Sequence, residues 1–275
     1  MSISGGLALA FGRGEAVGCT AMQIFTKNAS QWRAKPISDE EAQAFRDAWQ
    51  ASPIGPVIAH DTYLINLAAT DPENWAKSKA AFADELQRCA LLGVTGLVMH
   101  PGNHLGAGDE AGIARIVEAF QEILTDAPPE VTILVENTAG QGTALGWSFE
   151  HLAAILEPLP KERFGICFDT CHALAAGYDL TSAAGYDQVM VDFDRLVGVE
   201  RIHAFHVNDS KKGLASRVDR HEQLGDGALG LDGLRCLMQD ERFKNVPKIL
   251  ETPKGDDDQA DIRNIGVLRE LAGEV

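Results

Sequence analysis

No stretch of this 275-residue chain stays apolar long enough to cross a bilayer, so a helical membrane protein is not expected. The first six residues, Met1-Ser2-Ile3-Ser4-Gly5-Gly6, have neither a basic start nor an apolar core, and no secretory signal is predicted. Cysteine is sparse: Cys19, Cys89, Cys167, Cys171 and Cys236 are odd in number and scattered, which argues against a disulfide framework and predicts reduced thiols in a cytoplasmic protein. No Pro/Ser-rich linker or charge block marks a boundary, so one domain over residues 1–275 is expected. Positive charge is also short, with 24 Lys and Arg against 40 Asp and Glu and a formal charge of −16. Taken as a total, this argues against a nucleic-acid partner, because phosphate contacts draw on Lys and Arg. Binding depends on local charge, however, so the total does not close the question.

What the chain does have is a hydrophobic content of 45% and a length that suits a single α/β barrel. Nearly continuous apolar runs are predicted as strands at about 20–26, 56–60, 95–100, 131–136, 163–169, 201–206 and 246–251, as expected when both faces of a parallel sheet are covered. Helical stretches fall between them, at about 5–18, 38–51, 73–92, 109–126, 148–157, 182–198, 229–240 and 259–273. Ser38 with Glu41 makes a capping box, and Asp71-Pro72 opens the next helix. The alternation predicts parallel βαβ units closing into a (β/α)8 TIM barrel. Seven strands stand against eight helices, and the first helix has no strand before it. The expectation is therefore a barrel whose first strand is missing or truncated at the N-terminus.

Six of these strands finish on a residue that can bind a metal: His60, His100, Glu136, Asp169, His206 and Glu251. In a parallel barrel they share one rim, where barrels of this kind carry their chemistry. Asp169-Thr170-Cys171-His172 adds His172, and Arg217-Val218-Asp219-Arg220-His221 adds Asp219 and His221. Five imidazoles and four carboxylates are too many for one ion and fit three if a carboxylate bridges. Such mixed shells suit catalytic zinc, manganese or iron. Each residue alone has a plainer reading, as a hydrogen-bonded or Arg-paired side chain at a barrel mouth. The joint pattern favours metal, since carboxylates converging in a buried mouth would otherwise repel. Cys167 and Cys171 flank Asp169; they read as core-filling thiols, with metal ligation as the alternative. His203 should face the helix layer and His151 reads as structural, while His104 is either a substrate contact or an exposed loop residue. Gly225-Asp226-Gly227-Ala228-Leu229-Gly230 matches G-x-G-x-x-G but follows a polar loop rather than a strand, so dinucleotide binding is rejected.

Longer motifs carry a resemblance. Phe25-Thr26-Lys27-Asn28, His60-Asp61-Thr62-Tyr63-Leu64-Ile65-Asn66-Leu67, His100-Pro101-Gly102, Glu136-Asn137-Thr138-Ala139-Gly140-Gln141-Gly142, Asp169-Thr170-Cys171-His172, His206-Val207-Asn208-Asp209, Asp219-Arg220-His221 and Leu250-Glu251-Thr252 all resemble the endonuclease IV family, in order and over nearly the whole chain. The family's first strand normally ends in Gly-Ala-His before a Ser-x-x-Gly-Gly segment, and this chain starts inside that motif. The resemblance implies an apurinic/apyrimidinic (AP) endonuclease on a (β/α)8 barrel with three zinc ions. It implies His60, His100 and Glu136 on the first, Glu136 shared with a second held by Asp169, His206 and Glu251, and His172, Asp219 and His221 on the third.

The reaction so implied is hydrolysis of the phosphodiester on the 5′ side of an abasic site in double-stranded DNA, leaving a 3′-hydroxyl and a 5′-deoxyribose phosphate, with 3′-end cleaning as a companion activity. Glu251 and Glu136 are the expected catalytic residues, Glu251 orienting a water or accepting its proton. Three Zn2+ and four carboxylates bring the site to about +2 with neutral imidazoles. Basic loops with Lys27, Arg33 and Lys35, and with Lys211, Lys212, Arg217 and Arg220, would surround it. Lys27, Gln31, Tyr63, Leu64 and Arg220 are the expected DNA contacts, with Tyr63 and Leu64 wedging into the gap left by a flipped nucleotide. Solvated loops are the alternative for the lysines, and loop packing for Tyr63. After Lys27-Asn28 this chain has Ala29-Ser30 where some relatives carry Arg. The protein is expected to act as a monomer without a membrane partner. Two rival readings remain: a divalent-metal sugar isomerase or epimerase on a related barrel, using Glu136, Asp169, His206 and Glu251 alone, and a catalytically impaired DNA-lesion binder.

Overall fold

The strands form where branched and aromatic side chains run together, and Ser38, Asp71, Asp169 and Ser182 each cap the helix that follows them. A computed structural model describes residues 1–255 and 257–274, in two compact units. The first comprises Met1–Glu136 and Ala154–Gly165, the second Asn137–Ala153 and Ile166–Val275. All seven expected strands and all eight expected helices are present.

In the first unit the order is α1 (Leu9–Val17), β1 (Met22–Phe25), α2 (Asp39–Ala51), β2 (Val57–His60), α3 (Pro72–Leu92), β3 (Gly96–Met99), α4 (Asp109–Ile123) and β4 (Thr132–Glu136). Successive strands pair in parallel, with Phe25 opposite His60, His60 opposite Val98 and Met99 opposite Val135. The Ser38 hydroxyl accepts from the Glu41 N–H at 3.2 Å while the Glu41 carboxylate accepts from the Ser38 N–H at 2.9 Å, so the capping box forms as predicted. Asp71 caps α3 through the Asn74 N–H at 2.8 Å, with Pro72 in the first turn. The helices cover the sheet with phenylalanine: Phe82 and Phe120 lie 6.0 Å apart, and Phe120 and Phe164 4.9 Å apart edge to face.

α5 (Phe149–Leu156) and β5 (Phe164–Asp169) each run from one unit into the other. The second unit continues with α6 (Thr170–Ala176), α7 (Ala183–Leu196), β6 (Ile202–His206), β7 (Asp209–Ser210), β8 (His221–Glu222), α8 (Asp232–Gln239), β9 (Lys248–Ile249) and α9 (Gln259–Ala272). β5, β6 and β9 are parallel, with Asp169 opposite His206 and His206 opposite Ile249. A register shift at Ile166/Cys167 bends β5 just before its ligand end. Phe149, Phe168, Phe193, Phe205 and Phe243 form a continuous aromatic core with centroids 4.9–5.9 Å apart along the chain of contacts. α6 and the β7–β8 hairpin were not anticipated. No helix among the described residues is long and apolar enough to cross a membrane.

Candidate metal centre

Register places the ligands. In the first unit His100 leaves β3 one residue beyond Met99, level with Glu136 beyond Val135. The Nε2 atoms of His60 and His100 lie 3.2 and 3.3 Å from one oxygen, Oε2, of the fully buried Glu136. All three donor atoms fall within 4.8 Å of one another. The other ring nitrogen of His60 donates to the Asp61 carbonyl at 2.9 Å, which aims Nε2 at Glu136. Burial alone would push the His60 imidazole down, but hydrogen bonds and charge from Asp61 and Glu136 more than offset it and hold the ring well above its ordinary value. For the Asp61 carboxyl, by contrast, burial itself is the cause of an upward shift. The two Nε2 atoms and Glu136 Oε2 therefore converge on one point, as donors to a cation do. The residues fit a metal ion.

The second unit repeats the logic twice. His206 Nδ1 lies 3.1 Å from Glu251 Oε2 and 3.9 Å from Asp169 Oδ2, and these three residues form one set of donors. Beside them, His172 Nδ1 donates to the Asn137 carbonyl at 2.9 Å and His221 Nδ1 to the Glu251 carbonyl at 3.0 Å. Their Nε2 atoms then point at the same Asp219 oxygen, at 3.3 and 3.4 Å. The buried His221 Nε2 makes no hydrogen bond and also lies 3.7 Å from Asp169 Oδ2. A buried imidazole nitrogen aimed at carboxylates without a hydrogen bond has the chemistry of a cation ligand.

Asp169 divides its two oxygens. Oδ1 accepts the His172 N–H at 2.7 Å and so caps α6, while Oδ2 accepts from Asn208 Nδ2 at 2.7 Å and faces the ligands. The helix it starts is what brings His172 into the site, three residues on.

A family model described as a xylose isomerase-like TIM barrel matches residues 11–271. A protein of Geobacter sulfurreducens named "Probable endonuclease 4" is 56% identical over 274 residues, covering 98% of this chain and 92% of that protein. The chain belongs to the endonuclease IV family. Membership makes it an enzyme of the nuclease class on a (β/α)8 TIM barrel, as expected from its alternating elements. The crystal structure of endonuclease IV from Thermus thermophilus agrees, with a TM-score of 0.88 at 40% identity over 100% of this chain and 98% of that one. A D-tagatose 3-epimerase-like protein also superposes, with a TM-score of 0.72 over 93% of this chain and 90% of that one. Its 17% identity speaks for the fold alone.

The family's other expected contacts are placed unevenly. Tyr63 is 62% exposed, its ring leaning on Phe25 and His60 with centroids at 5.5 and 5.7 Å. Leu64 beside it is half-buried, and Gln31 and Arg220 are exposed. Lys27 departs from expectation. It is buried, its ammonium held by Asp84 at 3.0 Å and Glu85 at 3.4 Å, so it serves the interior and is not offered to a phosphate. In the second basic loop, Arg217 stacks on Trp147 with its guanidinium 3.6 Å from the ring centroid, and Lys211 lies 3.9 Å from Glu222. Cys171 is buried, and burial with the nearby Asp169 charge pushes its thiol up to about 12, which suits a core residue. Cys167 is also buried, with its sulfur within 4.8 Å of a His206 donor nitrogen. His104 proves to be a loop organiser, its Nδ1 accepting the Gly106 and Gly108 N–H groups at 3.2 and 3.0 Å.

Sequence reasoning gave no role to Asp61, Asn137 or Asn208. Asn137 donates to the Asp169 carbonyl at 3.0 Å and accepts its N–H at 2.7 Å, and Asn208 joins Asp169 to the Glu251 N–H at 2.8 Å. Their signal was position: each follows a ligand by one or two residues on a strand end.

Proposed function

We propose that this enzyme hydrolyses the phosphodiester on the 5′ side of abasic sites in double-stranded DNA, acting as a monomer with three zinc ions and leaving 3′-hydroxyl and 5′-deoxyribose phosphate ends. The observation that carries the reading is the common wiring of His60, His172 and His221. Each gives Nδ1 to a backbone carbonyl and turns Nε2 toward a carboxylate. Three such rings and a further imidazole–carboxylate set at His206 are more than a one-metal isomerase would use. His60, His100 and Glu136 would hold one ion, Asp169, His206 and Glu251 a second, and His172, Asp219 and His221 a third. Zinc bound there supplies Lewis acidity, lowering the pKa of water from 15.7 toward about 7 and neutralising charge on phosphate oxygens.

The chain's own groups do the rest. Glu251 is held at both backbone atoms, its N–H by Asn208 and its carbonyl by His221, while its side chain is 22% exposed. A carboxylate so fixed and open to water can orient the attacking water and accept its proton. Tyr63 stands outward beside His60 and can fill the gap a flipped abasic nucleotide leaves, with Leu64 behind it and Gln31 and Arg220 at the backbone. The same centre would remove 3′-blocking phosphate esters, since that too is hydrolysis at a phosphoryl group. The test is incision of a duplex bearing one tetrahydrofuran abasic analogue, without added magnesium, alongside metal analysis. Cutting 5′ to the analogue with near three zincs per chain is expected. Tight binding without cutting at full zinc occupancy would make the protein a lesion binder, and one manganese or cobalt per chain would make it an isomerase.

A further inference from the structure

The segment Gly225-Asp226-Gly227-Ala228-Leu229-Gly230 has the spacing of a phosphate-binding loop yet no role in the site described. Its backbone amides wrap an anion belonging to the chain itself. The Asp209 carboxylate is fully buried and accepts from the N–H groups of Gly225 at 2.9 Å and Gly227 at 3.1 Å through Oδ2. Through Oδ1 it accepts from Ser210 at 2.7 Å, Leu229 at 2.9 Å and Gly230 at 3.4 Å. Gly227 is required by closeness: a Cβ there would lie 2.4 Å from Asp209 Oδ1 and 2.5 Å from the Ser210 carbonyl.

Asp209 opens β7, whose partner β8 begins with His221; Asp209 pairs with Glu222 and Ser210 with His221. The chain leaving β8 is the segment that folds over the carboxylate. Asp209 therefore closes the hairpin on the side just past His221. The hairpin's other end is pinned as well, by the Ala215 and Arg217 amides donating to the Leu174 and Ala175 carbonyls of α6, each at 3.0 Å. Both of those residues have left-handed backbones, with φ of 59° and 55°. α6 carries His172, so the two attachments together fix where Asp219 and His221 stand relative to it.

We propose that Asp209 is a positioning residue for the ion held by His172, Asp219 and His221, acting through the cradle of amides at 225–230 that sets the β7–β8 hairpin. The proposal rests on the three-ion reading above. It predicts that loosening the cradle releases one ion selectively, and that the ion reciprocally tightens the cradle.

Zinc per chain and the affinity of each site, by competition with a chelator, would be measured for the natural protein, Asp209→Asn and Gly227→Ala. Asp209→Asn turns an acceptor into a donor facing amides, and Gly227→Ala disturbs the same cradle from the opposite side. Both variants should retain two zincs at natural affinity and bind the third about 10–100-fold more weakly. Three zincs held at unchanged affinity in folded variants, with only a lower unfolding temperature, would overturn the proposal by showing a structural role. A natural protein with fewer than three ions would instead overturn the three-ion reading. Amide hydrogen exchange in the natural protein serves where neither variant folds. Stripping all zinc with a chelator should speed exchange at Gly225, Gly227 and Leu229, and unchanged protection there would overturn the proposal.

Discussion

Asn208 offers a sharp test of how the ligands are held. Its side chain, fully buried, donates to Asp169 Oδ2 at 2.7 Å and accepts the Glu251 N–H at 2.8 Å. Asn208→Ala removes both. The first is a bond to a charged group, about 1.5–3 kcal/mol, and the second a neutral bond at a partly buried amide, about 0.5–1.5 kcal/mol. Together they predict a loss of about 2–4.5 kcal/mol. With an unfolding entropy of about 2.1 cal/mol/K per residue, this chain length gives roughly 0.6 kcal/mol/K, so Tm should fall by about 3–8 °C. Zinc affinity should fall by about 10–100-fold, because Asp169 loses the donor that orients it. Asn208→Asp separates the two bonds. It keeps an acceptor for the Glu251 N–H and sets a second carboxylate against Asp169, so its loss should shrink when zinc is added. Urea titrations of zinc-loaded and zinc-stripped protein, with chelator competition for affinity, measure all of this. A loss below about 1 kcal/mol in Asn208→Ala with unchanged zinc affinity would refute the reasoning.

Three further outcomes are expected. Tyr63→Ala should weaken binding to abasic duplex more than it slows hydrolysis of a small phosphodiester, and equal loss on both would count against the wedge. Lys27→Met should destabilise by about 3–5 kcal/mol in urea titration, because Glu85 is left buried without its cation; an effect on DNA affinity alone would contradict its burial. In zinc-stripped protein the raised His60 imidazole gives stability that is full below about pH 6.5, the ordinary value, and lost as pH rises through its higher native value. Melting temperature should therefore fall as pH climbs above about 6.5, and His60→Gln should flatten that slope; a slope unchanged in the variant would assign it elsewhere.

The strand ends were legible because buried parallel strands are unbroken apolar runs, and a polar residue closing such a run stands out. Even so, β3 stops at Met99 and β9 at Ile249, so His100 and Glu251 lie one and two residues beyond the hydrogen-bonded strand. α6 was hidden because its seven residues, Thr170–Ala176, are all buried, leaving no polar face to give a helical period. The β7–β8 hairpin was hidden because two-residue strands have no pattern at all. The fate of Lys27 could not be read locally, since its partners Asp84 and Glu85 lie on α3, far along the chain. Asn137, Asn208 and Asp209 work through bonds to residues distant in sequence, which no spacing announces.

The double duty of Asp169 bears on how fast metal can leave. The carboxylate that faces the ligands is also the one that starts α6, and His172 rides on that helix's first turn. On the three-ion reading, opening this turn would withdraw two ligands in one motion, and chelator-driven loss of metal is expected to keep pace with the breathing of that single turn.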